Sequence, residues 1–246
     1  MTRKSRFKAS GPNDAWFAGA CLIGLIVWGL ASRGEAQEAK GPDVAFNVAV
    51  GSDYVFRGVS QTEEDPAISA GFDLTSGSFY AGAWASNVSY AGDPDTNAEI
   101  DVYGGYRAEI SGWAVDVGGV GYIYTNQPNG ADYDYVEAKL AVSRAVGSAT
   151  VGGAIFYSPD FFGASEDEAT YVEANAAFSP ADKWTVSGAL GRQFVSSDFD
   201  YTTWNLGVAY QLTDTLVLDG RYYDTDEHAF GAVYDSRVVA SIKAVF

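Results

Sequence analysis

Acidic and basic side chains recur at every second position in several otherwise apolar segments of this sequence. The segment 99–110 shows the pattern clearly, because Glu99 and Asp101 flank Ile100, and Arg107 follows on the same face. A period of two places polar and apolar residues on opposite faces of a β-strand. Charged groups of both signs around a common interior could set an electric field that selects ions. The predicted pore-lining residues are Asp53, Arg57, Asp73, Glu99, Asp101, Arg107, Asp116, Glu137, Lys139, Glu173, Asp219, Arg221 and Lys243.

Histidine chemistry rests on a single residue. His228 is the only histidine, and Asp226 precedes it by two positions. An outer-membrane hydrolase could pair a histidine with a carboxylate or a serine, but no serine-containing elbow and no second histidine accompany this one. We therefore predict that the protein is not an enzyme, with no catalytic residue and no cofactor.

The connections between the predicted strands are rich in carboxylates, which are the oxygen ligands that Ca²⁺ and Mg²⁺ prefer. None of these runs has the ordered spacing of an EF-hand loop. Bound divalent cations and solvated acidic loops both remain open as interpretations. The runs are Glu63–Asp65, Asp93–Asp95, Glu166–Glu168, Asp198, Asp200 and Asp224–Glu227.

Twelve segments have the alternation or the turn boundaries of strands. Five short turns follow the even-numbered strands up to the tenth, and six longer connections separate the others. Outer-membrane barrels show this asymmetry between short periplasmic turns and longer external loops. We predict an all-β, transmembrane, antiparallel up-and-down barrel over residues 44–246, with both termini periplasmic. The predicted strands are 44–57, 67–75, 79–90, 99–110, 113–125, 133–146, 149–158, 170–179, 184–195, 201–212, 215–224 and 236–246.

Aromatic residues stand near the ends of these strands. Trp113 and Trp184 follow short turns, and several tyrosines lie near the longer connections. Two aromatic belts at the bilayer interfaces are therefore expected. The tyrosines concerned are Tyr90, Tyr133, Tyr157, Tyr171, Tyr201 and Tyr234.

The last predicted strand ends on an aromatic residue. Its apolar face carries Val238, Ala240, Ile242, Ala244 and Phe246. This resembles the closing strand of bacterial outer-membrane barrels, where the terminal aromatic residue is read by the barrel-assembly machinery. The last strand of a soluble β-domain is the competing interpretation.

The first 36 residues are predicted to be a cleaved signal peptide. Four basic residues precede the apolar segment 15–31, and Gly34 and Ala36 provide the small residues of a cleavage site. A membrane anchor is an alternative, although about 17 apolar residues is at the lower limit for a span. A lipoprotein is another, but the apolar run continues past Cys21 to Leu30. Residues 37–43 would form a short periplasmic segment.

Charge excludes one class of partner. The full chain carries −17, and residues 1–36 contain five basic and two acidic residues, so a chain without them carries −20. Phosphate binding needs clustered Lys and Arg, so nucleic acid is not expected as a partner. Removal of Cys21, the only cysteine, also leaves no disulfide.

The N-terminal third resembles a known family. Ser52–Thr62 (SDYVFRGVSQT), Pro66–Asp73 and Tyr80–Val88 are similar to the start of the TorF-type (Gcw_chp) porin family of proteobacterial outer-membrane proteins, over residues 44–106. The resemblance implies export to the outer membrane of a Gram-negative bacterium, among outer-membrane lipids and lipopolysaccharide. It also implies a channel for small solutes or ions, but transfers no substrate and no functional residue.

The chemistry of the interior leaves two functions open. Twelve strands lie between filled eight-stranded barrels and open sixteen-stranded porins. A passive channel is expected to prefer cations, since the predicted interior acids outnumber the bases. A barrel filled by salt bridges would instead be a non-conducting structural or adhesion protein.

Overall fold

Twelve antiparallel strands close into a barrel in a computed structural model, which describes residues 42–163, 167–196 and 198–246. The strands are β1 (Asp43–Gly51), β2 (Val55–Phe56), β3 (Val59–Ser60), β4 (Ala67–Ser76), β5 (Phe79–Asn87), β6 (Ala98–Ile110), β7 (Trp113–Thr125), β8 (Tyr135–Val146), β9 (Ala149–Ser158), β10 (Ala169–Ala181), β11 (Trp184–Phe194), β12 (Tyr201–Gln211), β13 (Leu216–Thr225) and β14 (Arg237–Val245). All except β2 and β3 belong to the barrel, which confirms the predicted fold. The predicted signal peptide lies outside the described residues.

The first and last barrel strands pair with each other. Asn47 lies opposite Val245 and Gly51 opposite Ser241 in the antiparallel register of β1 and β14. Reciprocal backbone bonds of 2.9 and 3.0 Å between Phe46 and Phe246 extend the seam. This pairing leaves the barrel without an open edge, which matters because an unpaired backbone group in hydrocarbon costs several kcal/mol.

The two faces of the barrel wall differ in polarity. Along β1, Val44, Phe46, Val48 and Val50 are 45–54% exposed on the outside, whereas Asn47 on the inside is only 5% exposed. The other strands continue the apolar exterior. A continuous exposed apolar surface of this kind is expected where a barrel faces lipid. Its further members include Ile68, Val102, Val117, Val136, Leu140, Ile155, Leu190, Leu206 and Ile242.

Short and long connections lie at opposite ends of the barrel, as the sequence predicts. The turn between β6 and β7 shows how the short ones are built, because Ser111 and Gly112 have φ values of 55° and 78°. Two consecutive left-handed residues suit the twist of a two-residue hairpin. Which end faces the periplasm stays a prediction.

The chain after β1 departs from the predicted strand 44–57. The strand ends at Gly51, and residues 52–66 turn into the barrel, where β2 and β3 form a separate hairpin. Tyr54 and Phe56 share the parity of Val48 and Val50, so an unbroken strand 44–57 would place them on the apolar outer face, but they lie inside. The inward turn lets Arg57 reach Glu137 on β8 and Gln193 on β11, which an extended continuation of β1 beside β14 could not do.

Among the residues that the structure describes, the remaining regular structure consists of two single turns of 3-10 helix, His228–Phe230 and Ala232–Tyr234. Across the described ranges of the chain, none of the helices has the length and apolar character that a bilayer span requires.

Candidate functional site: the barrel interior

Residues 52–66, which we call the infolded segment, place a hairpin inside the barrel. At the tip of the hairpin, Arg57 and Gly58 have φ values of 48° and 86°, the left-handed pair of a tight two-residue turn. Glycine is required at the second position for another reason. A Cβ on Gly58 would collide with the Thr203 side chain and would lie 2.9 Å from Thr225 Cγ2.

Arg57 joins the tip of the hairpin to the barrel wall. Its Nη2 lies 2.7 Å from Glu137 Oε2 on β8, and its Nη1 donates to Gln193 Oε1 on β11 at 2.9 Å. The guanidinium also packs on Phe156 and Tyr171, with its Cζ atom 5.1 and 4.4 Å from the ring centroids. Because the ion-paired side chains are only 1% exposed, loss of either partner would leave a buried, uncompensated charge.

Asp53 organises the base of the same hairpin. Its Oδ1 accepts hydrogen bonds from Ser60 Oγ at 2.7 Å and from Thr62 Oγ1 at 2.8 Å. Its Oδ2 lies 3.3 Å from Nη1 of Arg237 on β14. The infolded segment is therefore held at its base to the closing strand and at its tip to β8 and β11.

Aromatic rings fill the interior beside the infolded segment, toward the longer connections. Tyr122 and Tyr135 stack with centroids 4.3 Å apart, and Tyr133 and Phe162 stack at 4.5 Å. Tyr90, Tyr124 and Phe161 pack around these pairs.

This arrangement corrects part of the predicted aromatic belts. Tyr171 and Tyr201 are buried, at 3% and 6% exposure, because the alternation of their strands turns them inward. Tyr90 and Tyr133 join the interior cluster instead of a belt. Trp113, Trp184 and Tyr157, by contrast, are exposed on the outside.

Two carboxylates of β6 stand next to this cluster. Glu99 and Asp101 are 2% and 1% exposed. The hydroxyl of Tyr54 donates to Glu99 Oε1 at 2.8 Å, whereas Asp101 Oδ1 has no hydrogen-bond partner. Trp84 on β5 and Tyr122 on β7 lie directly opposite Asp101 in the sheet register.

A second charged group lies toward the short turns. Asp116, 1% exposed, accepts an ion pair from Arg107 at 3.2 Å and another from Lys139 at 3.0 Å. The hydroxyl of Tyr80 donates to its other oxygen at 2.8 Å. Here one carboxylate faces two cations, so the local charge is positive.

The other predicted interior residues occupy separate sites along the wall. Arg221 pairs with Asp219 at 3.1 Å and donates to Asn205 at 2.8 Å. Glu173 accepts from Tyr171 and Asn175, and Asp73 accepts from Tyr103. Lys243 lies opposite Ala49 and Val217 in the register of β14. The role of all these residues as pore-lining groups stays a prediction.

Comparison with known proteins places the chain in a family. Residues 35–246 match the sequence profile of a family described as "Bacterial protein of unknown function (Gcw_chp)". The chain belongs to the Gcw_chp family. The predicted resemblance is thereby confirmed and extends beyond residues 44–106, and its motif Ser52–Thr62 is the core of the infolded segment. A search of curated proteins found no match.

Solved structures share the fold of this Gcw_chp protein. The KdgM porin superposes with a TM-score of 0.58 at 8% sequence identity, covering 82% of this chain and 99% of the porin. The NanC porin superposes with a TM-score of 0.54 at 13% identity, covering 81% and 97%. The KdgM porin in complex with disordered oligogalacturonate gives 0.55 at 9% identity, covering 82% and 98%. At these identities the likeness shows that the fold is that of outer-membrane porins.

The acidic loops of the Gcw_chp protein show no metal site in the part of the chain that the structure describes. Nowhere in the described ranges do three His, Cys, Asp or Glu side chains come together as metal ligands. Glu166, in one of the predicted acidic runs, lies outside those ranges. Cation binding by the loops stays a prediction.

His228 faces carboxylates on both of its ring nitrogens. Its Nε2 lies 2.8 Å from Asp224 Oδ1, and its Nδ1 lies 3.9 Å from Asp235 Oδ1. The hydrogen bond with Asp224 raises the pKa of His228 above its ordinary value. Asp226, the partner that the sequence suggests, instead accepts from the Thr202 backbone at 2.6 Å. The contact with Asp224 joins the last loop to β13.

Sequence reasoning missed several interior residues of the Gcw_chp barrel. Gln193 and Trp84 face inward by the alternation of β11 and β5, and a consistent count of parity along those strands would have found them. Arg237 has the same parity as Lys243 on the polar face of the closing strand. Tyr54 gave no such indication, because its position depends on the strand ending at Gly51.

Proposed function

We propose that this protein is a porin-like channel of the outer membrane of a Gram-negative bacterium. Small solutes diffuse through it passively, and cations pass more readily than anions. The observation that carries the proposal is the polarity of the closed barrel, whose wall is apolar outside and charged inside. Such a barrel suits a lipid exterior with a polar interior. The fold shared with the KdgM and NanC porins supports the proposal.

The cation preference rests on the balance of interior charge. The interior side chains described above comprise eight acids and six bases. In a low-dielectric wall an acidic excess raises the local population of cations. The acids are Asp53, Asp73, Glu99, Asp101, Asp116, Glu137, Glu173 and Asp219, and the bases are Arg57, Arg107, Lys139, Arg221, Arg237 and Lys243.

This excess is unevenly distributed. Asp116, Glu137 and Asp219 each hold an ion pair with an arginine or a lysine. The side chains opposite Glu99 and Asp101 in the sheet are aromatic except for Ser86. Neither Glu99 nor Asp101 forms an ion pair with an arginine or a lysine among the described residues. The KdgM porin has been solved with oligogalacturonate, a polyanion, and the charge balance here favours solutes of the opposite sign.

Reversal potentials in a salt gradient across planar bilayers test the proposal. Asp101→Asn should lower the cation-to-anion permeability ratio, because it removes a carboxyl group that no arginine or lysine pairs with. Asp116→Asn should lower it as well, since Arg107 and Lys139 would face the interior without their carboxylate. Glu109→Gln is the matched control, because Glu109 is exposed at the end of β6. Anion preference of the wild type would contradict the cation-selective channel.

A non-conducting structural or adhesion barrel is the second candidate. The infolded segment favours it, because it spans the interior from β14 to β8 and β11. Absence of conductance from correctly folded protein would select this function over the channel.

Location and partners follow from the same proposal. The apolar exterior would contact outer-membrane lipids and lipopolysaccharide, and the closing strand would be recognised by the barrel-assembly machinery. Residues 1–36 would be removed during export. We expect no catalysis and no cofactor, because both nitrogens of the only histidine face carboxylates in a loop.

A further inference from the structure

Glu99 and Asp101 form a buried carboxylate pair in which one oxygen lacks a hydrogen-bond donor. The two side chains are on the same face of β6, two residues and therefore about 7 Å of strand apart. Both are almost fully buried, and Asp101 Oδ1 has no hydrogen-bond partner. A buried carboxylate oxygen without a donor is costly, so the pair provides a place for a group that brings positive charge and N–H donors.

The surroundings of the pair indicate which cation would fit. Trp84 and Tyr122 lie opposite Asp101, and Tyr124 lies opposite Glu99. Side chains directly opposite on one sheet face have Cβ atoms about 4.5–5.5 Å apart. Aromatic faces attract organic cations, whereas Ca²⁺ needs six to eight oxygen ligands. Two carboxylates do not make such a set, and no three-residue metal cluster occurs among the described residues.

We propose that Glu99 and Asp101, together with Trp84 and Tyr122, bind the ammonium group of a small organic amine. The ammonium donates to both carboxylates while the rings cover its alkyl part. This inference rests on the proposed function, because the amine would reach the site through the channel. It narrows the solutes of that channel to primary amines.

Tyr54 is the residue of this site that can move, because it belongs to the infolded segment and not to a barrel strand. Its hydroxyl holds Glu99 Oε1 at 2.8 Å, and its ring lies 5.1 Å from that of Trp84, measured between centroids. An ammonium group takes the place of this hydroxyl on Glu99. The backbone of Tyr54 accepts a hydrogen bond from the Gln61 N–H and donates one to Thr62 Oγ1, across the base of the hairpin. A bound amine therefore shifts the infolded segment.

Thermal unfolding of the folded barrel in detergent tests the binding without requiring conduction. Methylammonium chloride is compared with sodium chloride at equal ionic strength. Methylammonium should raise the unfolding midpoint more than sodium in the wild type and in Glu109→Gln. Asp101→Asn and Glu99→Gln should each weaken the apparent affinity by at least roughly tenfold, as expected for loss of one charge from a buried contact. Tyr54→Phe should strengthen it, because no hydroxyl competes for Glu99.

Equal midpoints in methylammonium and sodium for the wild type would overturn the site and leave the pair holding a proton only. An unchanged response of Asp101→Asn would also overturn it. If that variant does not fold, the opposite responses of Glu99→Gln and Tyr54→Phe carry the test, and absence of both changes refutes the proposal. A barrel that binds methylammonium without conducting would refute the channel and leave the site intact.

Discussion

Arg57 shows how a single side chain can determine the state of a barrel interior. Its guanidinium donates to Glu137 Oε2 and Gln193 Oε1 and lies against the rings of Phe156 and Tyr171. Lysine could not reproduce this arrangement, because a planar fork that donates to two acceptors and stacks on rings is particular to arginine. We call the contacts of Arg57 with Glu137 on β8 and Gln193 on β11 the latch, because they hold the hairpin to the far wall.

We expect Arg57→Ala to destabilise the barrel by about 3–5 kcal/mol, because it leaves the buried Glu137 carboxylate without its cation. The measurement is the unfolding midpoint in detergent, monitored by the change in electrophoretic mobility of heated samples. Arg192→Ala is the control, since Arg192 is 43% exposed and its carboxylate partners lie 3.8 Å away, a geometry worth about 0–1 kcal/mol. A double variant Arg57→Ala, Glu137→Gln should regain part of the loss. Equal effects of the Arg57 and Arg192 variants would show that the latch contributes nothing.

At the scale of the element, the hairpin depends on one backbone position. Gly58→Ala combines a left-handed φ of 86° with a collision against Thr203. We expect the hairpin to leave its position while the wall, whose strand pairing does not involve it, stays closed. Single-channel conductance should rise, and the sheet content measured by circular dichroism should be unchanged.

Gly130→Ala is the matched control for this variant. Gly130 has a φ of 81°, but a Cβ there would meet nothing within 4 Å. It therefore reproduces the backbone strain without the collision. Wild-type conductance in both variants would contradict the expectation that the hairpin obstructs the interior.

The closing strand β14 carries a prediction about lipid exposure. Ile242 is 40% exposed on the outer face, so Ile242→Asp should reduce the folded, membrane-inserted barrel. The cost is depth-dependent and smaller than the roughly 2–4 kcal/mol of Lys or Arg at the bilayer midplane. Ser236→Asp, which precedes the strand, should fold normally. Normal levels of heat-modifiable Ile242→Asp protein would place that side chain away from lipid.

Strand positions and the alternation of faces were predictable from the sequence, because a period of two repeats along each wall segment. Glu99 and Asp101 could be placed inside on that basis alone. The end of β1 at Gly51 could not be predicted, since Tyr54 and Phe56 continue the alternation beyond it. Only the partners on β8 and β11, far away in the sequence, decide that this segment turns inward. Asp53 and Arg57 were thus chosen for the interior by parity, but they reach it on a hairpin.

At the scale of the whole molecule, the structure predicts how the barrel is oriented in the membrane. The short turns and both ends of the described chain lie at one end of the barrel, which we expect to face the periplasm. A tag inserted at Asn129–Gly130 in a longer connection should be accessible to antibody on intact cells. A tag at Ser111–Gly112 should become accessible only after the outer membrane is permeabilised. Labelling of the second tag on intact cells would reverse the orientation.

The latch also has a consequence for the order of assembly. Arg57 is 80 residues before Glu137 and 136 residues before Gln193, so the hairpin precedes both of its partners in the chain. Contacts of such separation form late, because the entropy of closing the intervening loop must be overcome first. The guanidinium therefore docks only when β8 and β11 stand in their final places. Insertion of the hairpin into the interior therefore follows the pairing of β8 and β11 with their neighbours, and this single residue makes it one of the last steps of folding.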